Sequence, residues 1–303
     1  MTKPTLFILA AGIGNKYGGM KNMEEIGPNG EIFLDYLVYD AIRAGFSKLV
    51  FVLFSAIEQE FKTLILPRYA SKIAVECIFQ DKDSHIDTEN KIKTPYPWSS
   101  IRSLHAGRSV LREPFGVVNA EDFYGFRSFE LLHDAVLHIG KGDYKYANVA
   151  FQLQNTILEY SSATRGICRT DINNMLLAVD DYHDVEWLGG NLIYKDNEKR
   201  REEVDAHTLT SMNMWAFSPE IFNYTDTFVH TLYTERGINA HAPYTITQMM
   251  NELLKEGKVA VKLLETPDKW LGISSKEDRT VSVLRINEYI KNGLYPKRID
   301  SFI

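Results

Sequence analysis

Between Gly12 and Lys21 the chain sets four glycines, Gly12, Gly14, Gly18 and Gly19, among two lysines, Lys16 and Lys21. Glycines let backbone N–H groups come close to phosphate oxygens, and lysines supply the countercharge. The stretch follows Thr5–Ala10, an apolar run without alternation, which is the pattern of a strand covered on both faces. A loop leaving the carboxyl end of a buried strand is where open α/β sheets bind ligands. These residues therefore read as a phosphate cradle; the plainer alternative is a surface loop with incidental lysines. Gly12, Gly14 and Gly18 also satisfy a dinucleotide-binding spacing, G-x-G-x-x-x-G. Two features weigh against it. Helical periodicity starts only near Ile32, and "FVLFS" ends in Ser55 where an acid would hold a ribose. The nucleoside-triphosphatase loop is absent too, because Met20 stands where its lysine belongs.

The elements that must position this loop alternate. Phe33, Leu37, Ala41 and Ile42 repeat at helical spacing, with Gly45 placed as a C-terminal cap. Lys48–Phe54 and Lys72–Phe79 read as strands, with a short helix at Glu58–Leu66 stopped by Pro67. Ser100–Val110 reads as helix, Phe115–Asn119 as a fourth strand leading into the acidic "AEDFYG", Ser128–His138 as helix and Asn148–Leu153 as strand. Strands alternating with helices predict a mostly parallel sheet with right-handed crossovers. Beyond Asn155 the pattern loosens into antiparallel strands at Arg165–Asp181 and Gly189–Tyr194. The charge run Lys195–Glu203 reads as a solvated loop. Ser211–Phe217 is apolar. Ile246–Lys255 is helical, Val259–Leu264 a strand and Ser275–Asn292 a long helix, with Ser275 and Asp278 spaced as a capping box. One domain over residues 1–303 is the simplest reading, with halves of about 1–155 and 156–303.

Bulk properties narrow the function. The 303 residues are 45% hydrophobic and 24% charged, ordinary for a globular protein. A net charge of −6 argues against a general nucleic-acid or membrane binder. The two cysteines, Cys77 and Cys168, suggest no disulfide framework. The first apolar run is short for a signal peptide, and no window approaches the length of a membrane span. A cytoplasmic protein is the expectation.

"LAAGIGNKYGGMK" (Leu9–Lys21) resembles the signature loop of the sugar-phosphate nucleotidyltransferases, L-A-A-G-x-G-[ST]-R…K. The longer stretch "YGGMKNMEEIGPNGEIFLDYLVYDAIRAGF" looks like one bacterial branch of that family. So do "PFGVVNAEDFYG" (Pro114–Gly125), "TRGIC" (Thr164–Cys168), "SMNMWAF" (Ser211–Phe217) and "KWLGISSKED" (Lys269–Asp278). These segments span nearly the whole chain.

The resemblance implies a three-layer α/β/α sandwich of the nucleotide-diphospho-sugar transferase type. It implies Mg²⁺-dependent transfer of a nucleoside monophosphate from a triphosphate to a sugar 1-phosphate or similar phosphorylated alcohol, releasing pyrophosphate. Lys16 stands at the position of the family's phosphate-binding arginine, and Lys21 matches its lysine near the reaction centre. Leu9, Ala10, Ala11, Gly12, Gly14, Asn15, Ser99 and Ser100 fall at nucleotide-binding positions. Glu121 stands at the family's metal-binding acid, with Asp122 beside it. Arg165, Asn213 and Trp215 are candidates for the sugar phosphate, Asn213 and Trp215 on the assumption that they face the cleft while Met212, Met214 and Phe217 face the core. Several positions depart from the family. Lysine at 16 keeps charge without the bidentate fork, the longer Glu121 alters a strict Mg²⁺ geometry, and Ser99–Ser100 replace a Gly-Thr pair. Gly272, two residues after Trp270, stands where many members have a second metal-binding Asp. An alternative is therefore a weakened or inactive nucleotide-binding or nucleotide-sugar-binding module of the same fold.

Overall fold

The computed structural model describes residues 4–11, 24–80, 100–139, 141, 144–158, 161–196, 198–234, 245–273 and 275–299. Among these, the first half holds β1 (Thr5–Leu9), α1 (Phe33–Ala44), β2 (Lys48–Leu53), α2 (Glu58–Leu64), α3 (Leu66–Tyr69), β3 (Ala74–Phe79), α4 (Ser100–Ala106), β4 (Phe115–Asn119), α5 (Phe126–His138) and β5 (Tyr146–Gln152). The second half holds β6 (Ala163–Thr170), β7 (Leu176–Leu188), β8 (Asn191–Lys195), β9 (Arg201–Val204), β10 (Leu209–Phe217), α6 (Ile221–Thr234), α7 (Ile246–Lys255), β11 (Val261–Thr266) and α8 (Lys276–Lys291).

The central sheet runs β3-β2-β1-β4-β10-β5-β11. Strands β3, β2, β1 and β4 are mutually parallel, β11 is parallel to β5, and β10 runs against both of its neighbours. The mostly parallel central sheet is as the sequence leads one to expect. Strands β1, β2, β4 and β5 are buried on both faces, which is why they read as unbroken apolar runs. Leu6, Ile8, Phe51 and Val118 face one core with α1, α5 and α8; Phe7, Val50, Val52 and Val117 face a second with α4, α6 and α7. These are the three layers. Strands β6 to β9 extend the sheet as an antiparallel arm over a small third cluster around Leu153, Ile167 and Val185.

Helix α1 ends where Gly45 adopts φ +105°, and Phe46 N–H then reaches the Ala41 carbonyl at 3.0 Å. A non-glycine residue is strained at that φ, so the cap position follows from the residue type. Pro67 does not stop the preceding helix. Helix α2 already ends at Leu64, and Pro67 lies in the first turn of α3, where a missing N–H costs nothing. The charge run is not a plain loop either: Arg201–Val204 pairs with β8 as β9.

Candidate active site

The parallel register of β1 and β4 sets Leu9 opposite Asn119, so Ala10–Ala11 and Ala120–Asp122 leave the sheet side by side. Ala120 N–H donates to Leu9 O at 3.1 Å, and Ala10 N–H donates to Val52 O at 3.1 Å. Ala10 and Ala11, after which the chain runs into the glycine-lysine segment, thus adjoin the acidic turn after β4. Gly12, Gly14, Asn15, Lys16, Lys21 and Ser99 lie outside the described residues.

Next to β4, β10 carries a register irregularity between Ser211 and Trp215. Asn213 sits there at φ +59°, a left-handed conformation that asparagine tolerates better than most side chains. The kink brings its amide to Asn119, with Asn213 Nδ2 donating to Asn119 Oδ1 at 2.7 Å. Asn119 Nδ2 donates in turn to Asp122 Oδ2 at 2.8 Å. The Tyr124 hydroxyl donates to the same oxygen at 3.1 Å and accepts from Asn119 N–H at 3.0 Å. Asp122 is thereby a nearly buried carboxylate of fixed orientation. Burial pushes the Tyr124 phenol well up, and the Asp122 charge adds to that, so its proton stays available for the bond. The sequence singled out Asp122 and Asn213 but not Asn119 or Tyr124. Asn119 reads as the last residue of a strand, and only its position one residue before the acidic turn marks it.

Arg165 lies on β6 across from Tyr182. Its Nε donates to Thr156 Oγ1 at 3.2 Å, one terminal nitrogen to Thr156 O at 2.6 Å and the other to Thr164 O at 3.0 Å. The guanidinium carbon stands 5.0 Å from the centroid of the Trp270 ring. Burial lowers its pKa to about 10, while the charges of Asp122 and then Asp278 act to raise it. Trp270 N–H donates to Asn155 O at 3.0 Å, and Phe123 and Leu271 exchange two backbone hydrogen bonds of 2.9 and 3.0 Å. The acidic turn, β6 and the segment before α8 therefore meet at one junction. The Ser100 hydroxyl accepts from Ile246 N–H at 2.9 Å, so it caps the first turn of α7. Trp215 does not reach the cleft. It is fully buried, stacked on Phe217 at 5.7 Å, and its indole N–H has no acceptor among the described residues. The kink at Asn213 breaks the alternation that placed the two residues together.

A cleft of about 460 Å³ opens between β7–β8 and the start of α7, lined by Asp180, Asp181, Tyr182, Tyr194, Gln248 and Asn251 among others. Tyr182 and Tyr194 stack at 4.0 Å on its wall. Gly166, the β-bridge partner of Asp181, also pairs with Ser211, two residues before Asn213.

An inositol-1-phosphate CTP transferase from T. maritima is similar over 96% of this chain and 98% of its own, with a TM-score of 0.62 and 9% identity. A protein from Bacillus anthracis assigned as a glucose-1-phosphate thymidylyltransferase is similar over 93% and 94%, with a TM-score of 0.59 and 9% identity. A UDP-glucose pyrophosphorylase solved with UDP-glucose is similar over 96% and 100%, with a TM-score of 0.54 and 15% identity. The chain has the nucleotide-diphospho-sugar transferase fold. No family model matches it, and no curated protein does. At such identities the likeness fixes the fold, and function is argued from the site.

The resemblance seen in the sequence carries the expectation of Mg²⁺. Among the described residues no group of three or more His, Cys, Asp or Glu side chains is gathered to hold one. Glu121 and Asp122 nevertheless offer consecutive hard-oxygen donors just past Ala120, which is bonded to the end of β1. One or two carboxylates completed by substrate phosphates is the arrangement Mg²⁺ prefers, and the donor set fits it. Among the described residues no helix is long and apolar enough to cross a membrane.

Proposed function

We propose that the protein transfers a nucleoside monophosphate from a nucleoside triphosphate to a sugar 1-phosphate or a similar phosphorylated alcohol. The observation that carries this reading is the chain of hydrogen bonds from Asn213 through Asn119 to Asp122, beside the strand end that feeds Lys16 and Lys21. In this reaction a phosphate oxygen of the acceptor attacks the α-phosphorus. The bond from that phosphorus to the bridging oxygen breaks, and pyrophosphate leaves. Catalysis of such a step is mostly positioning and charge neutralisation. Lys16 and Lys21 supply positive charge to the triphosphate and to the reacting phosphates. Glu121 and Asp122 are the candidate ligands for Mg²⁺, which when bound offsets phosphate charge as it develops. Asn119 and Tyr124 keep Asp122 from turning away. The cleft lined by Asp181 and Tyr182 has the size of a small-molecule site.

Pyrophosphate release across a panel of triphosphates and sugar or alcohol phosphates tests the reading. The parent should turn over with at least one pair, and Asp122→Asn or Lys21→Ala should lose roughly 100-fold or more while circular dichroism stays unchanged. Absence of turnover with every pair, together with thermal stabilisation by nucleotide sugars, would replace catalysis by binding alone.

A further inference from the structure

We propose that Asn148 is a positioning residue: by spanning an irregularity in β10 it holds Asn213 in the left-handed conformation from which its amide reaches Asn119 and, through Asn119, Asp122. The bearing of that reach on turnover rests on the nucleotidyl transfer proposed above.

Strand β5 reads "YANVAFQ", and Asn148 is its one fully buried polar side chain. Its Nδ2 donates to Ser211 Oγ at 3.0 Å and to Met214 O at 3.1 Å, which uses both amide hydrogens. Its Oδ1 is buried with no partner among the described residues. A buried acceptor left unpaired is destabilising, and leucine would fill a similar space without one. The amide is explained by what its nitrogen holds. Ser211 pairs with Ala150 and Trp215 with Asn148, so Met212–Met214 stand opposite Val149 alone. Before this irregularity Thr210 and Ser211 pair with β6; after it Trp215, Ala216 and Phe217 pair with β4. On one side β10 changes partner, and at the same point on the other side Asn148 bridges the two ends of the irregularity. Such a bulge re-aims a side chain. Here that side chain is Asn213, at φ +59°, with Nδ2 donating to Asn119 Oδ1 at 2.7 Å. A left-handed backbone is costly for a residue with a Cβ and persists where its surroundings over-determine it. Asn148 does so from Ser211 on one side of Asn213 and from Met214 on the other. Without that bridge the segment can relax toward regular pairing and turn Asn213 off Asn119, which then loses the contact that orients its own amide toward Asp122.

Asn148→Leu keeps the volume and removes both donors. In the full-length protein its kcat for pyrophosphate release should fall about tenfold or more, the usual scale for groups that orient a metal ligand. Asn213→Gly removes the amide at the other end, while glycine accepts the left-handed backbone. In that background Asn148→Leu should cost no more than about twofold further, because residues acting through one chain of contacts are not additive. Losses that multiply overturn the inference, as does a folded Asn148→Leu that turns over at the parent rate. Asn148→Ala, which leaves space for a water in place of the amide, is the second variant should the leucine variant not fold. A readout free of turnover is the Asn213 side-chain amide in a ¹H–¹⁵N correlation spectrum, identified by its loss in Asn213→Gly. In Asn148→Leu or Asn148→Ala it should move toward the position of a solvated amide and exchange faster with water; an unmoved signal overturns the inference. If the parent turns over no substrate pair, the proposed transfer falls, and the spectrum alone decides whether Asn148 sets Asn213.

Discussion

Glycine at position 272 is held there by its neighbour. A Cβ at that position would lie 2.6 Å from Trp270 Cζ2 and in hard contact with Cη2. The indole has little room to yield, because Arg165 stacks on it and its backbone is bonded to Asn155. A carboxylate placed at 272 would therefore displace the ring before it could reach a metal. Gly272→Asp should lower stability by about 1–3 kcal/mol, the usual range for forced overpacking. It should leave Mn²⁺ affinity no higher than the parent's. Urea unfolding followed by tryptophan emission, with metal binding measured alongside, checks both; an unchanged midpoint with tighter metal binding would refute the argument. The departure of this position from the resembled family was legible in the sequence, but its packing cause was not. Asp122 and Asn213 were likewise legible from the motifs that flank them. The partners that orient them, Asn119 and Tyr124, were not, because a strand-end amide and a buried phenol look alike whether they serve a site or a core.

The helix starts show most clearly what local chemistry dictates. Ser275 Oγ accepts from Asp278 N–H at 3.1 Å, and Asp278 Oδ2 accepts from Ser275 N–H at 3.0 Å, closing the capping box that their spacing announces. Ser275→Ala should cost about 1 kcal/mol, seen as a lower melting temperature with the same far-ultraviolet spectrum. A melt identical to the parent's would mean the turn is held by packing instead. Helix α6 carries no such signal. Its sequence, "IFNYTDTFVHTLYT", is dominated by β-branched and aromatic residues of poor helix propensity. The burial of Ile221, Phe222 and Val229 against the sheet imposes the helix. Strand β9 escaped notice for the opposite reason. Arg201, Glu202 and Glu203 are all exposed, so no alternation marks a face. Cross-strand contacts such as Asn191 to Glu203 at 2.9 Å and Arg201 to Glu186 at 3.5 Å accompany the pairing that makes it a strand.

Stability of the whole molecule should carry the mark of one buried acid. Asp40 on α1 is fully buried, and burial pushes its pKa up to about 8; the Tyr295 hydroxyl bond at 2.5 Å and Arg43 pull it back down, and Asp268 adds to the rise. The unfolded chain releases this proton near its ordinary value of 3.8, while the folded protein keeps it to about pH 8. Folding therefore takes up a proton across that window. The contribution is complete below about pH 4 and is lost as pH rises toward 8, by up to about 1.4 kcal/mol per pH unit for one proton. Asp40→Asn should flatten the fall in urea midpoint between pH 5 and pH 8. Parallel curves for parent and variant would place the titration elsewhere.

The position of β10 has a different kind of consequence, one in time. Residues 209–217 lie between β4 and β5, strands completed by residue 152. A ribosome that has delivered every strand from β1 to β5 has therefore delivered a sheet with its middle missing. Until some 60 further residues emerge, β4 and β5 each lack the neighbour that satisfies their backbone. The growing chain must wait with these edges open, β5 on both sides until β11 also arrives, so the antiparallel strand that carries Asn213 also bears on escape from aggregation during synthesis.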